Sequence, residues 1–172
     1  MEKILPIQIK IEQIKKEHHL LSFQSKEEDL QAFLIEDALH HQQQNISVTF
    51  LWFHQDQLVS YISLLTDRIL LKADFKAFFA YNRINYNTLP ALKVGRLCVD
   101  DRYIRRGLGR LMIYFAVEKA REISKNSAGC RFITVDSKRN SLGFYEKLGF
   151  TVLKEKTYTT LCLDIMNFNQ YN

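Results

Sequence analysis

Residues 92–110 read LKVGRLCVDDRYIRRGLGR and join an apolar run to a glycine turn. The apolar part, 92–99, predicts a β-strand because the run is short and rich in leucine and valine. An amphipathic stretch with helical spacing follows over 108–123. Gly107 and Gly109 allow the backbone to turn its N–H groups outward, and the N-terminus of a helix attracts anions. The order of strand, glycine turn and helix therefore predicts a phosphate-binding site.

Arginine is concentrated around the glycine turn. Residues 102–110 contain no acidic residue and include Arg102, Arg105, Arg106 and Arg110. The formal net charge of the whole chain is +5 at pH 7. Such a balance favours an anionic ligand or partner, although a rim of solvated charges would give the same composition.

Three kinds of phosphate-binding turn can be compared with this segment. A P-loop requires a lysine directly after its last glycine, and Arg110 follows Gly109 instead. A dinucleotide-binding turn requires glycine or alanine at a third position, which Met112 occupies here. The remaining kind holds a pyrophosphate on backbone amides at one helix N-terminus. Coenzyme A carries such a pyrophosphate.

Length and composition place the chain among globular proteins. Its 172 residues suffice for a single domain, 1–172, with a sizeable core. Hydrophobic residues make up 47% and charged residues 25%, which argues against disorder. No apolar run approaches the roughly 18 residues of a membrane span, and no signal-peptide core begins the chain. We therefore expect a cytoplasmic protein without a membrane partner.

Cysteine and histidine spacing argues against disulfides and metal ligands. Cys98, Cys130 and Cys162 lie in separate apolar runs and form no CxxC pair, which favours reduced thiols. The five histidines have no zinc-type spacing, so no metal is expected. A nucleophilic Cys98 would need a histidine partner that the nearby sequence lacks, so a small buried residue is the favoured interpretation.

Periodicity predicts an α/β fold, or α+β by some schemes. Strands are expected over 4–14, 46–54, 58–66, 91–99, 131–136, 151–153 and 157–165, and helices over 26–43, 75–81, 108–123 and 140–148. Ser25 with Glu28 predicts a capping box, and Ser137 and Gly149 predict the two ends of the last helix. The polar turn 54–57 predicts a hairpin. These elements give a mixed, mostly antiparallel sheet of about six to seven strands with helices on both faces.

A second motif, FYEKLGF at 144–150, lies one strand and one short helix downstream of the turn. The turn and this motif together resemble the GCN5-related N-acetyltransferase (GNAT) family. Its pyrophosphate loop reads Gln/Arg-x-x-Gly-x-Gly/Ala, and its later helix carries a tyrosine before a Lys-x-Gly-Phe-like end. The resemblance covers most of the chain and implies a single GNAT-like domain that uses acetyl-CoA as co-substrate.

The resemblance also implies roles for individual residues. Tyr145 would be catalytic and would donate to the departing thiolate, whereas an ordinary helix aromatic would only pack on the sheet. The coenzyme-binding residues implied are Leu97, Cys98, Val99, Arg105, Arg106, Gly107, Leu108, Gly109, Arg110, Asn140 and Phe144. Backbone N–H groups of 97–99 would hold the pantetheine arm and form an oxyanion site. Asp100 and Glu36 are candidates for a general base.

Two positions depart from the family pattern. Ile104 stands where the loop usually has glutamine or arginine, and Lys138 stands where an asparagine is common. The first departure shifts phosphate binding onto the backbone amides of the turn. The second makes Asn140 or Ser141 the substitute for positioning the pantetheine arm.

Three functions are compatible with these residues. The first is transfer of an acetyl group from acetyl-CoA to a primary amine of a small molecule or peptide. The second is toxin-like acetylation of aminoacyl-tRNA, since Phe23, Ser25 and Phe33 with the SVTF run at 47–50 resemble the GNAT subgroup that includes such toxins. The third is a non-catalytic, acetyl-CoA-binding regulatory module, which the two departures would suit. The acceptor stays open, and a homodimer is compatible with all three.

Overall fold

The computed structural model describes residues 2–155 and 157–168. Its strands are β1 (Ile9–Gln13), β2 (Val48–His54), β3 (Gln57–Leu70), β4 (Thr88–Val99), β5 (Phe132–Ser137), β6 (Thr151–Glu155) and β7 (Thr159–Asp164). Its α-helices are α1 (Glu28–Ala32), α2 (Ala38–Gln43), α3 (Ala73–Tyr81), α4 (Leu108–Asn126) and α5 (Leu142–Glu146). The described strands hydrogen-bond in the order β1-β2-β3-β4-β5-β7-β6. This seven-stranded mixed sheet confirms the predicted fold class.

The chain forms two compact units. The first comprises Met1–Leu65 and Val94–Phe115, and the second comprises Thr66–Lys93 and Ala116–Asn172. β3, β4 and α4 each contribute residues to both units. The described part of each unit has an apolar core of its own, so the two are described in turn.

The predicted hairpin forms the centre of the first unit. β2 and β3 pair antiparallel, with His54 opposite Gln57, so the loop is only two residues long. Gln55 and Asp56 have positive φ, 50° and 59°, which is the geometry of a type I′ turn. Residues 58–64 of β3 are all buried, as in a strand that is covered on both faces.

The edge of the first unit differs from the prediction. The expected strand 4–14 begins with a 3₁₀ turn, Pro6–Gln8, and only Ile9–Gln13 pairs with β2. Proline cannot donate a ladder hydrogen bond, and Ile7 points into solvent with 93% of its surface exposed. The alternation of apolar residues therefore overstated the length of this strand.

The expected helix 26–43 is interrupted. A π-helical segment, Phe33–Asp37, separates α1 from α2. The predicted capping box does not form, because the Ser25 hydroxyl accepts from the N–H of Glu27 and no side chain caps the helix at Glu27. The N–H of Lys26 is taken by the carboxylate of Asp101 at 2.9 Å. A contact distant in sequence thus moves the start of the helix to Glu28.

The second unit packs α3 and the last three strands around aromatic rings. Phe79 is buried and meets Phe132 of β5 at 6.0 Å between ring centres. β5 pairs with β7, and β7 pairs with β6, both antiparallel, which confirms the predicted closing pair of strands. Phe78 and Tyr81 of α3 are 54% and 89% exposed and lie outside this core.

The last helix is shorter than expected. A 3₁₀ turn, Arg139–Ser141, precedes α5, and the Ser137 hydroxyl donates to the Lys138 carbonyl instead of capping a helix. At the other end the prediction is confirmed, because Gly149 has a φ of 86°. The N–H of Phe150 reaches back to the Tyr145 carbonyl at 3.1 Å, which closes a Schellman-type end.

Candidate active site

The glycine turn begins directly after β4. A 3₁₀ turn, Asp101–Tyr103, leads from the strand to Ile104, and α4 starts at Leu108. Arg105 and Gly107 have positive φ, 62° and 90°. Left-handed residues of this kind turn neighbouring N–H groups to one side, which forms an anion-binding nest. A Cβ added to Gly107 would meet no heavy atom within 4 Å, so the space beside the turn is open.

Arg106 supplies a buried donor at this turn. Its Nε is buried and has no hydrogen-bond partner within the described residues. The guanidinium carbon lies 5.2 Å from the centre of the Tyr103 ring, which holds the side chain in place. The Arg106 carbonyl accepts from the N–H of Ile4 at 3.0 Å, which anchors the turn. A buried donor costs free energy until an acceptor reaches it, and a pyrophosphate oxygen would fit that need.

The other residues around the glycine turn differ in how far they are exposed to solvent. Arg105 and Arg110 are exposed, so their charges face solvent. Leu108 is 1% exposed and fixes the first turn of α4 in the core, while Gly109 is half-buried. Charge, backbone conformation and an unpaired donor at one helix N-terminus all fit the pyrophosphate of coenzyme A.

Arg102 does not join these arginines, contrary to the expectation from sequence. Its Nε and Nη2 donate to the two carboxylate oxygens of Asp100 at 2.8 and 2.7 Å. The same Nη2 donates to the Ser22 carbonyl at 2.8 Å. Arg102 therefore belongs to a structural ion pair inside the first unit.

Asp100 is a structural carboxylate and a poor candidate for a general base. Its side chain is fully buried and also accepts the N–H groups of Gln24 and Arg102 at 2.9 and 3.0 Å. Burial alone would raise the pKa of this carboxyl, but the donors hold its pKa below the ordinary value. The other candidate, Glu36, is exposed within the π segment.

Cys98 behaves as a small buried residue. Its side chain lies in the core of the first unit, and its Sγ is 3.3 Å from the Ser25 hydroxyl. Burial raises the pKa of Cys98 to about 11, so the thiol is protonated near neutral pH. On either side of it Leu97 and Val99 are half-buried on β4. A protonated, buried thiol of this kind does not act as a nucleophile.

Tyr145 lies on α5 in the second unit. Its ring is 7% exposed and meets Phe144 and Phe150 edge-on, with ring centres 4.9 and 5.3 Å away. Burial raises the pKa of Tyr145 to about 12. The hydroxyl is thus a donor over the whole physiological pH range. Asn140 is exposed in the preceding 3₁₀ turn, where its Oδ1 accepts from the Ser141 hydroxyl at 3.2 Å.

The comparison with known families turns these features into an assignment. The family model described as "Acetyltransferase (GNAT) domain" matches residues 21–164, which include the glycine turn and Tyr145. The chain belongs to the GNAT acetyltransferase family. As a GNAT enzyme it is an acyltransferase that takes acetyl-CoA as co-substrate, as the sequence motifs implied. No curated protein matches this sequence at a significant level.

Solved structures with the GNAT fold resemble this chain along most of its length. AtaT complexed with acetyl-methionyl-tRNAfMet has a TM-score of 0.80 and 20% identity, over 92% of this chain and 95% of that one. A tyrosine-to-phenylalanine mutant of KacT has a TM-score of 0.80 and 21% identity, over 92% and 96%. AtaTR bound with acetyl-CoA gives 0.77 and 20%, over 93% and 95%. At these identities the likeness shows the fold.

The described residues contain neither a metal-ligand cluster nor a membrane-spanning helix. No group of three or more histidine, cysteine or acidic side chains that could hold a metal ion occurs in residues 2–155 and 157–168. Within the same residues, no helix is both long and apolar enough to span a membrane.

Sequence reasoning missed the π segment and the Asp100–Arg102 pair. The sequence shows that Asp100 lies two residues before Arg102. It does not show that Asp100 accepts from the N–H of Gln24 or that Arg102 donates to the carbonyl of Ser22, because both contacts are distant in sequence. The π segment has no sequence marker, since a single widened turn leaves the apolar spacing of a helix nearly unchanged.

Proposed function

We propose that this GNAT enzyme acetylates the α-amino group of an aminoacyl-tRNA. The observation that carries the proposal is the likeness to AtaT in complex with acetyl-methionyl-tRNA, over 92% of this chain. The net charge of +5 and the exposed Arg105 and Arg110 support a polyanionic substrate. Transfer to a small-molecule or peptide amine, the first expectation from sequence, has no comparable support.

The coenzyme would be held by the first unit. Acetyl-CoA supplies the activated acetyl thioester and a pyrophosphate. The N–H groups of Gly107, Leu108 and Gly109 would bind the pyrophosphate, and the buried Nε of Arg106 would donate to one of its oxygens. Because these donors are fixed by the fold, binding would not require a side chain at Ile104.

The backbone of β4 would hold the pantetheine arm and the thioester of acetyl-CoA. N–H groups of 97–99 would bind the pantetheine amides and donate to the thioester oxygen, where negative charge develops during attack. The deprotonated amine would form a C–N bond to the carbonyl carbon as the C–S bond breaks. Orientation and exclusion of water would supply most of the rate, because neither Asp100 nor Cys98 is available as base or nucleophile.

Tyr145 would stabilise the leaving thiolate. Its hydroxyl is protonated near neutral pH and would donate a hydrogen bond to the sulfur as charge builds on it. The proton lost by the amine passes to solvent, and the coenzyme leaves as thiol or thiolate. No residue of the second unit needs to change its charge during this step.

A direct assay tests the proposal. Purified protein and acetyl-CoA are incubated with bulk aminoacyl-tRNA, and separately with free amino acids, dipeptides and polyamines. We expect thiol release and acetylated aminoacyl-tRNA with the charged RNA alone. Expression of the wild-type protein should also arrest growth, and Tyr145→Phe should relieve the arrest. Efficient turnover of a free amine together with none of charged tRNA would refute the proposal.

A further inference from the structure

The helical segment beside β4 carries a local irregularity. The N–H of Ala38 reaches the carbonyl of Phe33 five residues back, which defines the π-helical turn Phe33–Asp37. Such turns cost regular hydrogen bonding and occur frequently at functional sites. Phe33 opens the segment and is 6% exposed. Tyr61 stacks with its ring at 6.3 Å, and His41 meets it edge-on at 5.4 Å between centres. The Phe33 ring is therefore held rigidly.

Arg96 lies over this ring. Its guanidinium carbon is 5.1 Å from the centre of Phe33, a cation–π distance. On β4 it stands between Val94 and Cys98, which share its face of the strand and are 2% and 5% exposed. Arg96 itself is exposed. An exposed arginine on a face of otherwise buried residues needs a reason beyond packing.

The charge of Arg96 is not neutralised locally. One nitrogen, Nη1, donates to the adjacent Gly95 carbonyl at 2.8 Å. No carboxylate of residues 2–155 or 157–168 forms an ion pair with it, unlike Arg102, Arg121 and Arg131. A guanidinium that lies over an aromatic ring keeps its remaining N–H groups available, and the fork of these donors suits bidentate contact with a phosphate.

We propose that Arg96, which lies over the ring of Phe33, binds a phosphodiester next to the acylated end of the tRNA and so selects charged RNA over free amines. The inference rests on the proposed function. Arg96 is roughly 7 Å along β4 from Cys98, where the backbone would hold the thioester. In a charged tRNA the amino acid is esterified to the terminal nucleotide, so the reacting amine and a phosphodiester lie within one nucleotide of each other.

The test compares two substrates that differ in phosphate. One is charged tRNA, and the other is the same aminoacyl ester on adenosine without any phosphate. Arg96→Gln should lower kcat/KM on charged tRNA by roughly 10- to 100-fold, mainly through KM. On the phosphate-free ester it should stay within about twofold of wild type, because that ester has no group for Arg96 to bind.

The salt dependence of kcat/KM distinguishes phosphate binding by Arg96 from a merely structural role, which would leave that dependence unchanged. The slope of log(kcat/KM) against log salt should become shallower by about one for Arg96→Gln on charged tRNA. Arg96→Lys keeps the charge and should keep the wild-type slope while losing part of the affinity. Thermal melting of both variants checks that the fold is intact.

The outcomes separate the two proposals. Equal loss on both substrates, or an unchanged salt slope for Arg96→Gln, would overturn the role of Arg96 and leave the aminoacyl-tRNA activity standing. If the wild-type enzyme does not acetylate charged tRNA, the proposed function fails and the role of Arg96 fails with it.

Discussion

Replacing Tyr145 by phenylalanine tests whether this residue acts by hydrogen bonding or by complete proton transfer. Burial raises the pKa of Tyr145 to about 12, whereas a thiol has a reference pKa of about 8.5. At about 1.36 kcal/mol for each pKa unit, full transfer of the phenolic proton to the departing thiolate would be uphill by about 5 kcal/mol. A hydrogen bond to the developing charge has no such cost. We therefore expect Tyr145 to donate without losing its proton.

The expected effect is that of removing one donor from a water-poor site. Tyr145→Phe should reduce kcat on aminoacyl-tRNA by about 100- to 1,000-fold, with little change in the Kd of acetyl-CoA. Since the phenol keeps its proton up to a pKa of about 12, the wild-type rate should not fall between pH 7 and pH 10 through loss of this donor. Tyr158→Phe makes the same chemical change at a half-exposed tyrosine and should leave kcat unchanged.

Two results would contradict this reasoning. The first is a kcat for Tyr145→Phe within threefold of wild type, which would make Tyr145 an ordinary packing residue. The second is an alkaline limb near pH 10 that is present in wild type and absent in Tyr145→Phe. That limb would mean that the phenol ionises within the assay range, so burial would not control its proton.

Three further substitutions test the first unit, and a fourth, at a glycine of α5, serves as a control. Asp100→Asn should lower the free energy of unfolding by about 1 to 3 kcal/mol in denaturant titrations, since it removes the charge of a buried carboxylate that accepts from Gln24 and Arg102. The fold lowers the pKa of Asp100, so the difference in unfolding free energy between wild type and Asp100→Asn should be complete above about pH 4. The difference should disappear as the pH falls through the lowered pKa. A difference that does not change with pH would contradict this explanation. Gly107→Ala should weaken acetyl-CoA binding in calorimetry, because alanine is strained at a φ of 90°, whereas Gly143→Ala in α5 should not. Cys98→Ala should retain activity within threefold, and native Cys98 should resist iodoacetamide; rapid alkylation would argue for a thiolate.

The conformation of the glycine turn could be predicted from sequence because it is determined locally. Gly107 is required by its own positive φ, and the strand and helix on either side follow from periodicity alone. Gly149 ends its helix for the same kind of reason. In both places a short stretch of chain determines its own conformation, so no knowledge of distant contacts was needed.

Predictions failed where a partner distant in sequence determines the conformation. The start of α1 depends on Asp101, which takes the N–H of Lys26 and competes with local capping by Ser25. The sequence groups Arg102 with the other arginines of the glycine turn, because all four lie in a run without acids. The acid that binds it, Asp100, lies just upstream of that run. Only the fold shows that Arg102 also donates to the Ser22 carbonyl and that Asp100 accepts the N–H of Gln24.

The Asp100–Arg102 pair raises the question of why a charged carboxylate is kept in a fully buried position, where its desolvation is costly. Both residues also bind the backbone of a distant segment, since Asp100 accepts the N–H of Gln24 and Arg102 donates to the carbonyl of Ser22. The segment leading to α1 and the chain leading to the glycine turn are therefore held by the same carboxylate. An apolar pair of equal volume could fill the space but could not orient two backbone segments through directional bonds. Asp100 thus joins the chain that leads to the glycine turn and the chain that leads to the helical segment with Phe33 into one structural element.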